Sequence, residues 1–386
     1  MIFAVLTALS SAANQSDTIV SFVNFYPGAD IYELEGHSVL RINMPQGDFA
    51  ISYGTYDFEQ PNFVYRFVKG ETDYWVTAVP WQYMEQSYRR AGRRIVEHSV
   101  DMSSEQKRKL LDLVADNLKP ENRTYRYNYV KDNCATRPLA ILQQALGDSI
   151  VLSDAPEEVK ACRSFRDIMR HYHRNYPWYQ FGIDLALGSG IDYPLNEREK
   201  AFAPVILDRQ LDDATYSGKK LVSSTDVLND VAADAAVEQP TPWYLTPTTI
   251  CCIVLLFTII LSISNIRRRK LSRWFDTCLF GLFGLAGCVI TFLVFISVHE
   301  ATSPNILLLW LNPFCFIPPI FIWINRCKVI IFSYQIVNFV ALMTLLVLAA
   351  AGAQDLNLAF YPLILADAIR AATYIYLNFN SIKCRE

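Results

Sequence analysis

The sequence predicts an α+β domain followed by an all-α membrane domain of five transmembrane helices, and three observations carry that reading. Apolar residues collect after Thr249, where five stretches approach the roughly 20 residues a helix needs to cross a bilayer. Lys and Arg concentrate in alternate loops between those stretches. Before Thr249, short alternating runs mix with amphipathic helical periodicity. The bulk composition agrees, since 386 residues at 52% hydrophobic and 19% charged give a mean hydropathy of +0.16, which a single soluble domain seldom reaches. Thirty-five basic against 38 acidic side chains leave a net charge of −3, so bulk attraction to nucleic acid is excluded.

The five stretches are 249–266, 277–297, 305–324, 329–350 and 358–379. They lack the polar face of a soluble helix. The loop after the first carries Arg267, Arg268, Arg269, Lys270 and Arg273, and the loop after the third carries Arg326 and Lys328. Lys383 and Arg385 end the chain, whereas loops 299–305 and 352–357 hold neither Lys nor Arg. By the positive-inside rule the basic sites are cytoplasmic, and an odd number of spans places the first part of the chain outside. Residues 1–16 agree: the apolar run Ile2 to Leu9, followed by Ser10, Ser11, Ala12 and Ala13, reads as a signal-peptide core and cleavage site, though without a positive leader.

The extracytoplasmic domain is expected over 17–215. Within it, Ser103 and Gln106 fit a capping box, Leu110, Leu111, Val114 and Leu118 follow at helical spacing, and Pro120 ends the helix. Residues 216–245 turn small, polar and acidic and read as a linker or docked arm. The membrane domain then covers 246–380, leaving 381–386 as a cytoplasmic tail.

Only Cys134 and Cys162 lie in the exported part. Outside the cytoplasm two cysteines most simply form a disulfide, which would make the domain a non-catalytic binding module. The surroundings of Cys134 support another reading. It sits in Asp132-Asn133-Cys134-Ala135-Thr136-Arg137, directly before the apolar helical run Leu139, Ile141, Leu142, Ala145 and Leu146. With Asn133 as the cap, the sulfur lies in the first turn, where the helix dipole lowers a thiol pKa. Pro138 disturbs that assignment and makes Thr136 an alternative cap.

A thiol nucleophile needs a base. His37 lies in Gly36-His37-Ser38-Val39-Leu40-Arg41-Ile42, where His37, Val39 and Arg41 share one strand face. Pairing across Pro45, Gln46 and Gly47 with Phe49-Ala50-Ile51-Ser52-Tyr53-Gly54 brings Tyr53 toward His37 as an orienter, unless the register slips by one. A structural histidine is the bland alternative. His171 and His173 read as a solvated helix end and His98 as exposed, with no diagnostic metal spacing.

The motifs Gly36-His37-Ser38 with Leu40-Arg41, Tyr53-Gly54-Thr55-Tyr56-Asp57-Phe58, Tyr125-Arg126-Tyr127 and Asp132 to Arg137 occur in order with Ser164-Phe165-Arg166, the Trp178 to Gly188 run and Asp192. Together they resemble the Lnb-type lipoprotein N-acyltransferases over about residues 20–210, and the multi-span tail fits the same architecture. The resemblance implies a circularly permuted papain-like fold, similar to lecithin-retinol acyltransferase, with Cys134 and His37 as catalytic residues. It implies a bacterial inner membrane protein, its catalytic domain in the periplasm, that needs no cofactor. The phospholipid is the acyl donor, and the acceptor is the α-amino group of a diacylated lipoprotein. Arg41 and Asn133 are candidate substrate-binding residues, Arg41 through a lipid phosphate. A membrane-tethered cysteine peptidase or amidase acting on the cell wall is the competing enzyme reading. In the last span, Asp367 and Arg370 stand at i, i+3 spacing, suited to pairing and to contact with a lipid head group or a neighbouring helix.

Overall fold

A computed structural model describes residues 17–383, with side chains through Phe379; the expected signal segment 1–16 lies outside the described residues. Two compact units emerge, one comprising residues up to Asn175 with Pro194–Gln239 and the other comprising Tyr176–Tyr193 with the residues from Pro240 onward.

The first unit is built on strands β1 (Ile19–Phe25), β2 (His37–Met44), β3 (Gly47–Thr55), β4 (Asp73–Pro80), β5 (Ile95–Val100), β6 (Thr124–Arg126) and β10 (Val222–Asn229). They form one antiparallel sheet in the order β10-β5-β1-β2-β3-β4-β6. Strands β7 (Ile150–Val151), β8 (Thr215–Tyr216) and β9 (Lys219–Lys220) make a smaller sheet. Residues 222–229, within the stretch read as linker or docked arm, thus add an edge strand to β5.

Alternation along the β2–β3 hairpin sorts side chains to two faces. Leu40, Ile42, Ile51 and Tyr53 join one core. Helices α3 (Ser104–Leu118) and α4 (Thr136–Leu146) cover it with Leu110, Leu111, Val114, Leu139 and Leu142. Val39 and Ala50 face the other way, packing with Phe25 and with Trp81 of α2 (Trp81–Arg90). The predicted capping box opens α3, where Ser103 Oγ accepts from the Gln106 N–H and Gln106 Oε1 from the Ser103 N–H. Shorter helices complete the unit: α1 (Phe63–Lys69), α5 (Phe165–Tyr172), α7 (Glu197–Lys200) and α8 (Pro204–Leu211).

The second unit holds α6 (Pro177–Ala186), α9 (Pro247–Arg268), α10 (Arg273–Phe295), α11 (Ile317–Phe321), α12 (Lys328–Ala350) and α13 (Phe360–Lys383). Among the described residues, three helices are long and apolar enough to cross a bilayer: Pro247–Arg268, Arg273–Phe295 and Asn325–Ala350. The expected span at 305–324 is not one continuous helix. It breaks into 3₁₀ turns at Ile306–Leu309 and Pro313–Phe316 and the short α11, because Pro313, Pro318 and Pro319 lack the N–H groups that a regular helix needs. Helix α6, from the Trp178 to Gly188 run, belongs to this unit: Asp184 Oδ2 accepts from Asn357 Nδ2 at 2.8 Å, and Phe181 meets Phe360 edge-on at 5.1 Å.

Asp367 and Arg370 do not pair with each other. Both are fully buried. Arg370 forms a fork on Asp276 of α10 at 2.6 and 2.9 Å and donates to Ser262 Oγ and Asn265 Oδ1 of α9 at 2.9 and 3.1 Å. Asp367 accepts from Asn338 Nδ2 of α12 at 2.7 Å. Neither side chain faces lipid, because a guanidinium taken from water needs a carboxylate and several acceptors around it. Sequence reading missed Asp276 because it began the second span one residue later. Replacing Arg370 with Met strands the Asp276 carboxylate and is expected to cost about 3–5 kcal/mol. Unfolding in detergent measures the loss, and adding Asp276→Leu to the variant should restore part of it.

Candidate active site

Cys134 lies in the turn before α4, at 8% exposure. Helix α4 begins at Thr136, and Asn133 organises its start: Asn133 Oδ1 accepts from the Ala135 N–H at 2.8 Å and the Thr136 N–H at 3.0 Å. Its amide donates to the Tyr129 and Phe202 carbonyls, both at 2.8 Å. Asn133 is thereby saturated by backbone and acts as a bracket for the cysteine loop. Pro138 is accommodated because the turn is stitched by other bonds, Arg137 N–H to Asn133 O and Leu139 N–H to Ala135 O. Arg137 adds a two-point contact to Asp132 and stacks over Tyr125 at 3.6 Å.

The Ser38 backbone N–H and the Tyr127 hydroxyl lie close to the sulfur and favour its thiolate. The first ties Cys134 to the residue next to His37. Gly36 permits that corner: its φ is +88°, and a Cβ there would lie 2.5 Å from the Phe25 carbonyl oxygen. Gly54, also at φ +88°, makes room for the Tyr127 ring, which a Cβ would approach to 2.7 Å.

His37 opens β2 and stacks parallel to Tyr88 at 6.4 Å, with Phe25 at 6.3 Å. Its Nε2 is hydrogen-bonded to Ser52 Oγ at 2.9 Å. Register explains why Ser52 occupies the place expected for Tyr53. Ser52 pairs with Val39, so it shares the face of Val39 and His37, while Tyr53 turns to the α3–α4 core, where it is 1% exposed.

Other expected residues are placed differently. Arg41 is occupied by Asp48 at 2.7 Å and Glu97 at 2.8 Å and lies over Trp81 at 4.5 Å, which leaves no free edge of its guanidinium for a phosphate. His98, expected exposed, is buried, with Nε2 at 2.8 Å from Asp208. His173, expected at a solvated helix end, is also buried, with Nε2 at 2.7 Å from Glu35 Oε1. In both cases a distant carboxylate that no local pattern announces replaces water. Glu35 Oε2 also accepts from the Tyr129 hydroxyl at 2.5 Å. Among the described residues no group of three His, Cys, Asp or Glu is placed to hold a metal.

Cys134 and Cys162 are both free thiols, so the disulfide-stapled binding module is not the structure observed. Cys134 is surrounded by Ser38 and Tyr127, whereas Cys162 sits among Asp167 and Lys200. Burial pushes the Cys134 thiol up against the opposing pull of its hydrogen-bond donors. Burial, helped by the Arg93 cation, pushes His37 down to about 3. The resting site therefore holds a thiol and a neutral imidazole, in place of the thiolate expected at a helix tip. Arg93 is itself fixed by Glu33 at 2.5 Å, the Tyr26 carbonyl at 2.6 Å and the face of Tyr88 at 4.5 Å. With Nε2 engaged by Ser52, the Nδ1 of His37 has no hydrogen-bond partner among the described residues.

Fold and site together define a membrane protein whose mixed sheet-and-helix domain holds a buried cysteine close to Ser38, the residue that follows a neutral histidine. The chain belongs to the family of Lnb-type lipoprotein N-acyltransferases: residues 7–170 match the Lnb N-terminal periplasmic domain and residues 239–381 match the Lnb transmembrane domain. No curated protein and no solved structure matches the chain. Family membership points to lipoprotein N-acylation as the activity.

The electrostatics set a pH dependence. His37 contributes stability in its neutral form above about pH 6.5, and that contribution is lost as pH falls from 6.5 toward 3. Because the thiol is raised, alkylation of Cys134 in full-length protein should climb continuously through pH 9. Mass spectrometry of the Cys134 peptide reads the profile, and full reactivity already at pH 5 would contradict a neutral resting pair.

Proposed function

We propose that this protein moves an acyl chain from a phospholipid, through a thioester on Cys134, to the α-amino group of a diacylglyceryl-modified N-terminal cysteine. The observation that carries the reading is the approach of the Ser38 N–H and the Tyr127 hydroxyl to the Cys134 sulfur, which brings the cysteine to the start of β2, where the preceding residue, His37, has its Nε2 fixed by Ser52. Nδ1 of His37 takes the thiol proton as sulfur attacks the ester carbonyl. The C–O bond of the tetrahedral intermediate breaks, His37 returns the proton to the leaving oxygen, and lysophospholipid departs. In the second half the lipoprotein amine attacks the thioester, His37 accepts a proton from nitrogen, and amide formation releases the Cys134 thiol.

A neutral imidazole suits this cycle, because it is free to accept a proton at each attack. Tyr127 and the Ser38 N–H stabilise sulfur as it gains charge, and the N–H of Cys134 is the donor for the oxyanion. Ser52 holds the ring in the role first expected of Tyr53. A histidine strand preceding the cysteine helix, with a polar residue on the adjacent strand, supports the circularly permuted papain-like assignment. The family's periplasmic and transmembrane domains, with the basic loops at 267–273 and 326–328, support a periplasmic catalytic domain, five spans in the inner membrane and a cytoplasmic C-terminus.

The test is mass spectrometry of lipoprotein N-terminal peptides from cells depending on this protein. Cys134→Ala is expected to abolish the amide-linked chain. His37→Ala removes the proton carrier and is expected to slow transfer by about 100- to 10,000-fold, with protein levels unchanged. Ser52→Ala keeps the base and lowers the rate less than His37→Ala. Persistence of the third chain in Cys134→Ala refutes the thioester, and release of acyl or peptide product to water without amide formation favours the hydrolase.

A further inference from the structure

The segment between β3 and β4 is unusual among the surfaces of the first unit. Helix α1 buries none of its residues although Phe63, Val64, Phe67 and Val68 make it markedly apolar. Val64 is 73% and Phe58 59% exposed. Exposed aliphatic residues scattered singly need no explanation, but a contiguous aromatic patch does. Here Phe58 meets Phe63 at 5.1 Å and Tyr56 at 4.8 Å, and Phe63 stacks on Phe67 at 5.8 Å.

The patch is joined to the reacting sulfur. Tyr56 contacts Tyr74 at 5.3 Å, Tyr74 stacks on Tyr127 at 4.6 Å, and the Tyr127 hydroxyl lies close to Cys134. A row of rings therefore leads from solvent-exposed Phe58 toward the sulfur. The missing side chain at Gly54 lets the Tyr127 ring, the inner end of that row, pack against the backbone.

We propose that the exposed segment 56–67 is the surface on which this protein takes up the acyl chain of a bilayer phospholipid, with Tyr56, Tyr74 and Tyr127 forming the wall along which the chain reaches Cys134. A bilayer is at hand because the same chain carries helices that cross one. Aromatic rings with polar tips suit the membrane interface, where one end meets hydrocarbon and the other water. An acyl chain laid on this row places its ester end beside Tyr127, where the sulfur stands. The proposal rests on reading Cys134 as the acylated nucleophile.

The experiment uses full-length Cys134→Ala protein in nanodiscs of phosphatidylethanolamine and phosphatidylglycerol containing a phosphatidylethanolamine with an acyl-chain diazirine. Irradiation and peptide mapping are expected to place crosslinks within residues 56–67. Phe58→Ser/Val64→Ser should cut them at least fivefold, and the same double change on the active background should slow N-acylation at least tenfold, with an unchanged melting midpoint because these two side chains are exposed. Crosslinks confined to residues 247–383, or a double variant with full labelling and full transfer, overturn the proposal. Loss of transfer in Cys134→Ala together with labelling outside 56–67 sinks the proposal alone. Continued transfer by Cys134→Ala instead sinks the nucleophile assignment and with it the route to sulfur.

Discussion

The approach of the Ser38 amide to the Cys134 sulfur is the constraint on which the site depends. It joins two pieces of chain separated by nearly a hundred residues, the start of strand β2 and the loop before α4. A backbone N–H on a sheet cannot be reoriented by side-chain motion, so the sulfur is positioned by the sheet itself. Everything that stiffens either end serves this geometry. Gly36 allows the tight approach to Phe25, Asn133 locks the cysteine turn by four backbone contacts, and Arg137 clamps the same loop through Asp132.

The site is also largely enclosed by protein, and desolvation sets its protonation state. Desolvation acts in opposite directions on an acid and a base, raising the thiol and lowering the imidazole, so both are neutral at rest. The buried Arg93 reinforces this by disfavouring a second positive charge near His37. An activated thiolate would react with any electrophile in the periplasm, whereas a neutral pair develops charge only when a carbonyl is in place to receive the attack. The aromatic row from Tyr127 outward is consistent with a reactant that is itself apolar.

In the second unit the same physics operates without water at all. Arg370 is satisfied by Asp276, Ser262 and Asn265 from two other helices, so a single cation ties α9, α10 and α13. Such a node specifies which helices adjoin more than it adds stability, since the desolvation cost of the ions offsets much of their attraction. The break at Pro313 to Pro319 follows from covalent structure, since each of Pro313, Pro318 and Pro319 lacks a backbone N–H.

What the chain determined by itself were features that depend on residues near one another: the hairpin at Pro45 to Gly47, the capping box of α3, the run of apolar helices and the placing of Cys134 just before a helix. Periodicity and capping act over a few residues, so they are legible without a fold. Only tertiary structure decided that Ser52 and not Tyr53 meets His37, because both faces of the β2–β3 hairpin carry buried apolar residues, so hydrophobic alternation does not choose between registers that differ by one. It decided likewise that Arg41 belongs to Asp48 and Glu97, that His98 and His173 are buried against Asp208 and Glu35, and that Arg370 belongs to Asp276. Each of those partners is chosen by packing between segments distant in sequence, and electrostatic pairing has no sequence signature until the elements that carry the charges are brought together.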